Sequence, residues 1–557
     1  MRFCCKVRTW RKKFFTIAIL IIGLYLFLSY NLLPIWFGNT ITEDLEIQKH
    51  IGELPPRVRV SLNYVVMHID LKRTPLNLAY LETLLPFLKE HGVNSLLMEY
   101  EDMFPYEGKL LNLSAENCYK KPDLKRFLST AIGSGFEIIP LVQTFGHLEY
   151  ALKLSEFQHL REMPLYPDSI CPSKEDSMAF LKHLLEQVMD FHNAISPLKH
   201  IHIGCNELYH VNKCEHCKKR GLEETHIFLH HVKNLSDVIK SQYPDTTVLI
   251  WDDMLRGIKP KEWDHIDKFT KVEPVYWESG AYPLVSHSNL FMYHMKFPHI
   301  WIASAFKGAD GRTATFPDLG IRYQNVFNWM NFIINYNSGG GEQKIKFRGI
   351  IITGCSRYSH MDPPCELLPI SIPSLVLNLL VVRRFKSGVD EILQEDDDPR
   401  DSNEVFLYKY LKKEVVKSMQ CNLDIDSVDS SGCVFDGMEL SGVFKSLTTL
   451  FHDLKSMFND KELSLESVEF YSQFDLINKN TVAYNIEKLN NYLKQIGDLE
   501  YKAVLEMSQY YKRDFVNEYI NYKTFHIKKK LQRLINIYKT YNHVSVWRRT
   551  PINFTSL

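Results

Sequence analysis

From residue 61 to about residue 385 the chain alternates, about eight times, between a short apolar, β-branched run and a longer stretch of amphipathic, helix-like spacing. The runs lie at 64–70, 95–99, 136–143, 201–204, 247–251, 272–277, 299–303 and 349–353. Near-continuous apolar runs of this length are what parallel strands look like when both faces are covered. The stretches between them, such as 76–90, 122–134, 174–192 and 226–241, predict helices, and Gly92 and Gly135 close two of these. Alternating strands and helices predict an α/β fold with a parallel sheet. Eight repeats over roughly 320 residues predict a closed (β/α)8 TIM barrel rather than an open sheet. Neither G-x-G-x-x-G nor G-x-x-x-x-G-K-[ST] follows the first run, which argues against dinucleotide and P-loop chemistry.

Past residue 385 the strand signal stops. A polar linker carrying Glu395-Asp-Asp-Asp398 leads into helix-like segments at 405–419, 437–457, 485–496 and 501–541. They predict a C-terminal α-helical domain over residues 386–557. A solvated bundle packed on the barrel is the plain reading, and its long basic and aromatic face also offers a homodimer surface.

At the other end, residues 14–33 carry no charge and are long enough to cross a bilayer as a helix. Arg2, Lys6, Arg8, Arg11, Lys12 and Lys13 precede them, and the first charges afterwards are Glu43 and Asp44. This predicts a basic cytosolic tail (1–13), an N-terminal transmembrane helix acting as a signal anchor (14–36) and a stem (37–60). The competing reading, a cleaved signal peptide, would have an over-long apolar region and no A-x-A-like site. The chain is therefore expected to be a single-pass type II membrane protein with its barrel in the lumen. A short tail, one anchor and a stem are also the layout of Golgi enzymes, so the Golgi is the expected location by analogy. Asn112, Asn234 and Asn553 head triplets that accept N-glycans in a lumenal chain. Cys4 and Cys5 lie where palmitoylation occurs.

Lys plus Arg and Asp plus Glu both number 66, so nothing global points to nucleic acid. Nine cysteines fall on the lumenal side, where disulfides are permitted, and Cys421 and Cys433 bracket a polar loop as a candidate pair. Cys214-Glu-His-Cys217, with His210 nearby, has a zinc-site look, but no second pair of ligands is evident. A local disulfide or free thiols fit better. Asp424-Ile-Asp426 lies outside the barrel and reads as a loop, not as the metal-binding motif of a glycosyltransferase.

In such barrels the chemistry sits at the C-terminal ends of the strands. There the sequence places Asp70, Glu99, His147, Asn206, Glu207, Trp251, Asp252, Trp277, Arg357 and Tyr358. Each alone has an ordinary structural explanation, as helix cap or core filler. Together, carboxylates beside tryptophans are what sugar cleavage needs: acids to move protons and flat rings to hold a pyranose.

The segments Glu99-Tyr-Glu-Asp-Met-Phe-Pro-Tyr-Glu-Gly108, Ile139-Pro-Leu-Val-Gln-Thr-Phe-Gly-His147, His202-Ile-Gly-Cys-Asn-Glu207, Trp251-Asp-Asp-Met-Leu-Arg256 and Ser304-Ala-Phe-Lys-Gly-Ala309 carry a resemblance. In order and spacing, from about residue 60 to 385, they resemble the hexosaminidase D-like branch of glycoside hydrolase family 20. The resemblance implies an exo-β-N-acetylhexosaminidase that removes terminal β-linked GlcNAc or GalNAc from glycans by a substrate-assisted retaining mechanism. It needs no cofactor and no metal. It implies Glu207 as the acid, His147 as its support, and Asp70, Glu99, Trp251, Asp252, Trp277, Trp329, Arg357 and Tyr358 as contacts to the sugar. The family's acid follows an Asp that orients the 2-acetamido group and stabilises the cationic intermediate, and here that position is Asn206. An amide can accept the acetamide N–H but offers no full negative charge. The departure leaves a second expectation: a catalytically impaired, glycan-binding pseudoenzyme or scaffold.

Overall fold

The eight apolar runs become eight parallel strands, hydrogen-bonded in chain order around a closed ring. The computed structural model describes residues 60–263, 266–338, 345, 347–387, 403–421, 432–459 and 463–547. Strands one to eight are Tyr64–Asp70, Ser95–Glu99, Glu137–Leu141, His200–His202, Thr247–Trp251, Val272–Trp277, Ile300–Lys307 and Phe347–Gly354. Strands one and two run in register from Val66 opposite Ser95 to Asp70 opposite Glu99. The ring closes where Tyr64 lies opposite Gly349.

Side-chain alternation along each strand divides the core in two. Val66, Leu97, Ile139, Leu249, Val275 and Ile351 cluster inside the barrel. Their chain neighbours Val65, Met67, Leu96, Ile138, Ile250 and Ile350 pack instead with the helices in a larger cluster. Both faces are thus apolar, which is why the strands lack a polar–apolar alternation. Gly349 is required where it stands: a Cβ there would lie 2.7 Å from the Trp301 ring and 2.6 Å from Tyr64 Cβ. Its absence lets the Trp301 indole lie across the barrel interior, with its N–H donating to Glu273 at 2.6 Å. The barrel helices follow their apolar spacing. In helix Leu78–Glu90, for example, Leu78, Leu81, Leu84, Leu85 and Leu88 are the buried face.

The last barrel helix, Ile372–Ser387, is almost wholly buried. Beyond it lie helices Asn403–Met419, Met438–Phe458, Leu465–Gln473, Lys479–Tyr510 and Arg513–Asn542, with the expected Cys421–Cys433 disulfide between the first two. The barrel's own core continues into this region through Leu407, Leu440, Phe444, Met507, Phe515 and Tyr519. Farther out, Leu454, Val482, Leu489, Ile496, Leu531 and Leu534 form a separate cluster. The buried stripes of the long helices are therefore used within the chain, Tyr501, Leu505 and Phe525 stay exposed, and the expected homodimer surface finds no support.

The expected single helix over 501–541 is corrected. Helix Lys479–Tyr510 runs straight through residue 500, and the chain breaks at Tyr511, which is extended at φ −132 and ψ 155. The reason is that the barrel rim supplies the backbone partners there. Asn77 N–H donates to Tyr510 O at 2.7 Å and Lys512 N–H to Pro75 O at 3.1 Å, so Tyr511 bridges Leu76. The next helix then crosses the rim. Its Glu518 takes Arg73 and the buried Arg357, each at 3.0 Å. Glu518→Ala leaves Arg357 short of its counter-charge and is expected to lower stability by about 1–3 kcal/mol. The lower end is favoured because Glu518 is about one-third exposed and screened by solvent. An unchanged urea midpoint would remove this reading of the contact.

The anchor (14–36), the stem up to residue 59, Cys4, Cys5, Asn553 and Asp424-Ile-Asp426 lie outside the described residues. Among the described residues, no helix is long and apolar enough to cross a membrane.

Candidate active site

A cavity of about 180 Å³ opens at the C-terminal end of the barrel. Of the residues expected there, it gathers Glu99, His147, Asn206, Glu207, Trp251, Trp277, Arg357 and Tyr358. Three expected contacts do not line it. Asp70 is turned to its own rim, accepting from Lys72 N–H at 2.9 Å and Ser356 N–H at 2.7 Å. Asp252 is fully buried and grips Arg256 with both oxygens, at 2.7 and 2.8 Å. Trp329 is fully buried behind Tyr276, its indole N–H donating to Glu278 O at 3.2 Å. All three act on the frame of the site through their neighbours.

The loop after strand four places Asn206 and Glu207. Gly204, Cys205 and Glu207 have φ of 70, 70 and 50, so the chain coils left-handedly into the mouth of the barrel. His147 opposite is left-handed too, at φ 54. For residues with a Cβ this costs about 1–2 kcal/mol each, and such strain persists only where surrounding contacts hold it. Those contacts are visible. Thr144 Oγ1 donates to Ile203 O at 2.7 Å, beneath the coil. Glu207 N–H donates to Asp253 Oδ2 at 2.8 Å. Gly146 lies against the backbone of Asn206, and a Cβ on it would come within 2.6 Å of the Asn206 carbonyl oxygen.

Glu207 Oε2 meets His147 Nε2 at 2.9 Å. That bond, outweighing burial, holds the Glu207 carboxyl below its ordinary value. Burial works against a charged His147, but the bond to Glu207 and the charge of Glu149 raise it above its ordinary value. The contact thus joins a carboxyl held below its ordinary value to an imidazole raised above its own, which favours the ion pair of a Glu207 anion and a His147 cation. Asn206 Oδ1, beside them, is buried and has no hydrogen-bond partner among the described residues.

The floor is a buried charge cluster. His68 Nε2 lies 3.1 Å from Glu99, and Lys72 Nζ lies 3.5 Å from Asp70 and Glu99 and 3.7 Å from Glu101. Burial alone would lower His68, but Cys355 and Glu99 push it up to about 9. Burial alone would raise Glu99, but Lys72, His68 and Gln143 hold it well below the usual carboxylate range. The floor thus keeps fixed charges of both signs under any bound ligand.

The wall is built by Trp251 and Trp277. Asp253 joins wall and acid: one oxygen takes Glu207 N–H and the other takes the Trp277 indole N–H at 3.1 Å. Arg256 lies 5.6 Å over the Trp277 ring and pairs with Glu278 at 2.7 Å. Asp253, Glu278, Lys72, His68 and Gln143 were not among the expected site residues. All five stand at strand ends in the sequence, and only their direction was missing.

A family model, "Glycosyl hydrolase family 20, catalytic domain", matches residues 82–293. The chain is 37% identical over 322 residues to hexosaminidase D from Bos taurus, which covers 56% of this chain and 90% of the relative. It is 36% identical over 334 residues to hexosaminidase D from Homo sapiens, covering 58% of this chain and 66% of that one. Among solved structures, a β-N-acetylhexosaminidase from Bacteroides fragilis matches at 13% identity and a TM-score of 0.45, over 63% of this chain and 70% of that one.

Proposed function

Since the chain belongs to the hexosaminidase D-like proteins of glycosyl hydrolase family 20, and so is a glycosidase of the β-N-acetylhexosaminidase type, we propose that it removes terminal β-linked GlcNAc or GalNAc with Glu207 as acid and base and Asn206 as the acetamide anchor. The observation that carries this is the free acceptor, Asn206 Oδ1, set beside the Glu207–His147 contact on one cavity wall. Leaving a buried acceptor unpaired costs about 1–3 kcal/mol, and a substrate N–H relieves it. The 2-acetamido N–H is the group that fits, because its carbonyl oxygen must then point at the anomeric carbon.

In the first step that carbonyl oxygen attacks the anomeric carbon from below. The bond to the leaving oxygen breaks and Glu207 gives that oxygen a proton. In the second, Glu207 takes a proton from water, the water oxygen bonds to the anomeric carbon and the oxazolinium ring reopens. Configuration is retained and no cofactor enters. Trp251 and Trp277 hold the flat face of the pyranose.

The acid step needs a proton on Glu207, and His147 disfavours it. Activity is therefore expected to rise as pH falls from neutrality. His147→Ala removes the largest influence lowering Glu207, so the basic limb of the kcat/KM profile should move to higher pH while kcat falls. A limb that stays put or moves down would remove His147 from this role.

The direct test is hydrolysis of aryl β-GlcNAc and β-GalNAc from about pH 4 to about pH 8, with the anomer of the first-formed product read by NMR. No turnover by the wild type, or an inverted product, would overturn the proposal. We place the chain, also as a proposal, in the Golgi membrane through residues 14–36 with the barrel in the lumen. Release from membranes by alkaline carbonate would contradict this.

A further inference from the structure

The Cys214-x-x-Cys217 pair lacked partners in the sequence, and the fold brings them. Cys171 Sγ lies 3.3 Å from Cys214 Sγ and 3.6 Å from Cys217 Sγ, and Glu162 Oε2 lies 3.3 Å from Cys217 Sγ. One ligand atom from each of these four residues falls within 4.8 Å of every other. We propose that Glu162, Cys171, Cys214 and Cys217 bind a structural zinc ion that clamps the loop carrying Glu207.

The spacing is that of a closed tetrahedral site. Zinc–sulfur bonds of about 2.3 Å at tetrahedral angles separate the sulfurs by about 3.8 Å, close to what is observed. A single disulfide would use two sulfurs and leave the third thiol and the carboxylate crowded against it. Glu162 is only 1% exposed. Its partners are the backbone N–H groups of Lys213 and Cys214 on Oε1, at 2.6 and 2.8 Å, and the Cys217 thiol on Oε2, none of them a cation. A carboxylate is rarely buried without a compensating charge, and a dication bound through Oε2 supplies one. Oε1 would keep both N–H bonds, the outer contacts that orient a metal-bound carboxylate. Cys217 N–H donates to Cys214 Sγ at 3.4 Å and Ser173 Oγ lies 3.1 Å from Cys217 Sγ, both favouring thiolate. Four protein ligands leave no open position, so the role is structural.

The placement gives that role a purpose. Cys214 ends the loop that carries Asn206 and Glu207. Glu162 lies on the first strand of the hairpin Arg161–Met163 and Tyr166–Ile170, which follows His147, and Cys171 comes directly after its second strand. The same hairpin holds His210 through Asp168 at 2.8 Å. Zinc would fasten the segment after the acid to the segment after its histidine partner.

The test is the metal content of the purified full chain by mass spectrometry, with X-ray absorption at the zinc edge. About one zinc per chain is expected, with three sulfurs and one oxygen, the sulfurs at about 2.3 Å. Cys171→Ser should leave under about one tenth of the zinc, whereas Cys118→Ser, outside the cluster, should leave it intact. Glu162→Gln, which preserves the backbone contacts, should keep the fold but release zinc to a chelator at least tenfold faster. That variant and the absorption spectrum decide the matter if Cys171→Ser does not fold. Zinc-free protein with three free thiols, or a disulfide among the three cysteines, would overturn the proposal. So would bound zinc indifferent to both substitutions.

Discussion

Glu207→Gln is expected to cut kcat for aryl β-GlcNAc by about 1,000-fold or more, within the range that acid–base groups supply. The size follows from its double duty, since the same carboxyl donates the proton in the first step and removes one in the second. Glutamine keeps the shape, and its carbonyl oxygen can still accept from His147, so KM and melting temperature should change little. The loss should also depend on the leaving group. A nitrophenolate departs with little help, whereas a sugar alkoxide needs the full proton, so the disaccharide should lose more than the aryl glycoside. A uniform loss across leaving groups would reduce Glu207 to a binding or positioning residue. A mild loss would transfer the acid role elsewhere on the rim, with Glu278 the carboxyl to examine next.

Asn206→Asp is expected to raise kcat by about 100-fold or more, comparable to the charge stabilisation one well-placed group supplies. The oxazolinium carries a positive charge beside this side chain, and a carboxylate meets it where an amide only hydrogen-bonds. The site can accommodate the new charge because Lys72 and a largely protonated His68 line the same cavity. The pH profile should shift too. A second carboxylate next to Glu207 disfavours its ionisation, so its proton is held to higher pH and the basic limb moves up. A gain in rate with that shift would mark the natural residue as a brake on a working enzyme. An unchanged or lower rate would mean that the loop is shaped around the amide, and that the intermediate's charge is met elsewhere.

Much of this was legible in the sequence because a closed parallel barrel writes itself plainly. Both faces of each strand are buried, so strands one, two, five and six stand out as apolar runs with the observed ends. The rim rule then brought Glu207, Asn206, His147 and the two tryptophans to one place. What the sequence withheld was direction and distance. Asp252 and Asp253 are adjacent carboxylates at one strand end, and only the turn after Trp251 decides which one reaches Glu207 and which one is taken by Arg256. Trp329 has the composition of a sugar platform, yet it lies on a helix whose inner face is core. Only half of the metal-like cluster, Cys214 and Cys217, stood out in the sequence, because Glu162 is 52 residues from Cys214 along the chain and reaches it only across the hairpin. The break at Tyr511 was hidden for a similar reason: residues near position 511 satisfy their backbone groups on Pro75 and Asn77, not within a helix.

The clasp between Arg73 and Glu518 joins residues 445 apart in sequence. For a chain made from the N-terminus onward, this fixes an order of events. The strands and the catalytic loop leave the ribosome early, and Arg73 and Arg357 then wait, charged and unmatched, until the helix beginning at Arg513 arrives. Contacts so distant in sequence form slowly, because the loop they close must first be searched. The rim of the barrel can therefore be completed only after the helix beginning at Arg513 has been made. A nascent chain stalled before residue 513 would hold all its catalytic side chains on an unfinished mouth, exposed to the quality-control machinery that recognises incomplete folds.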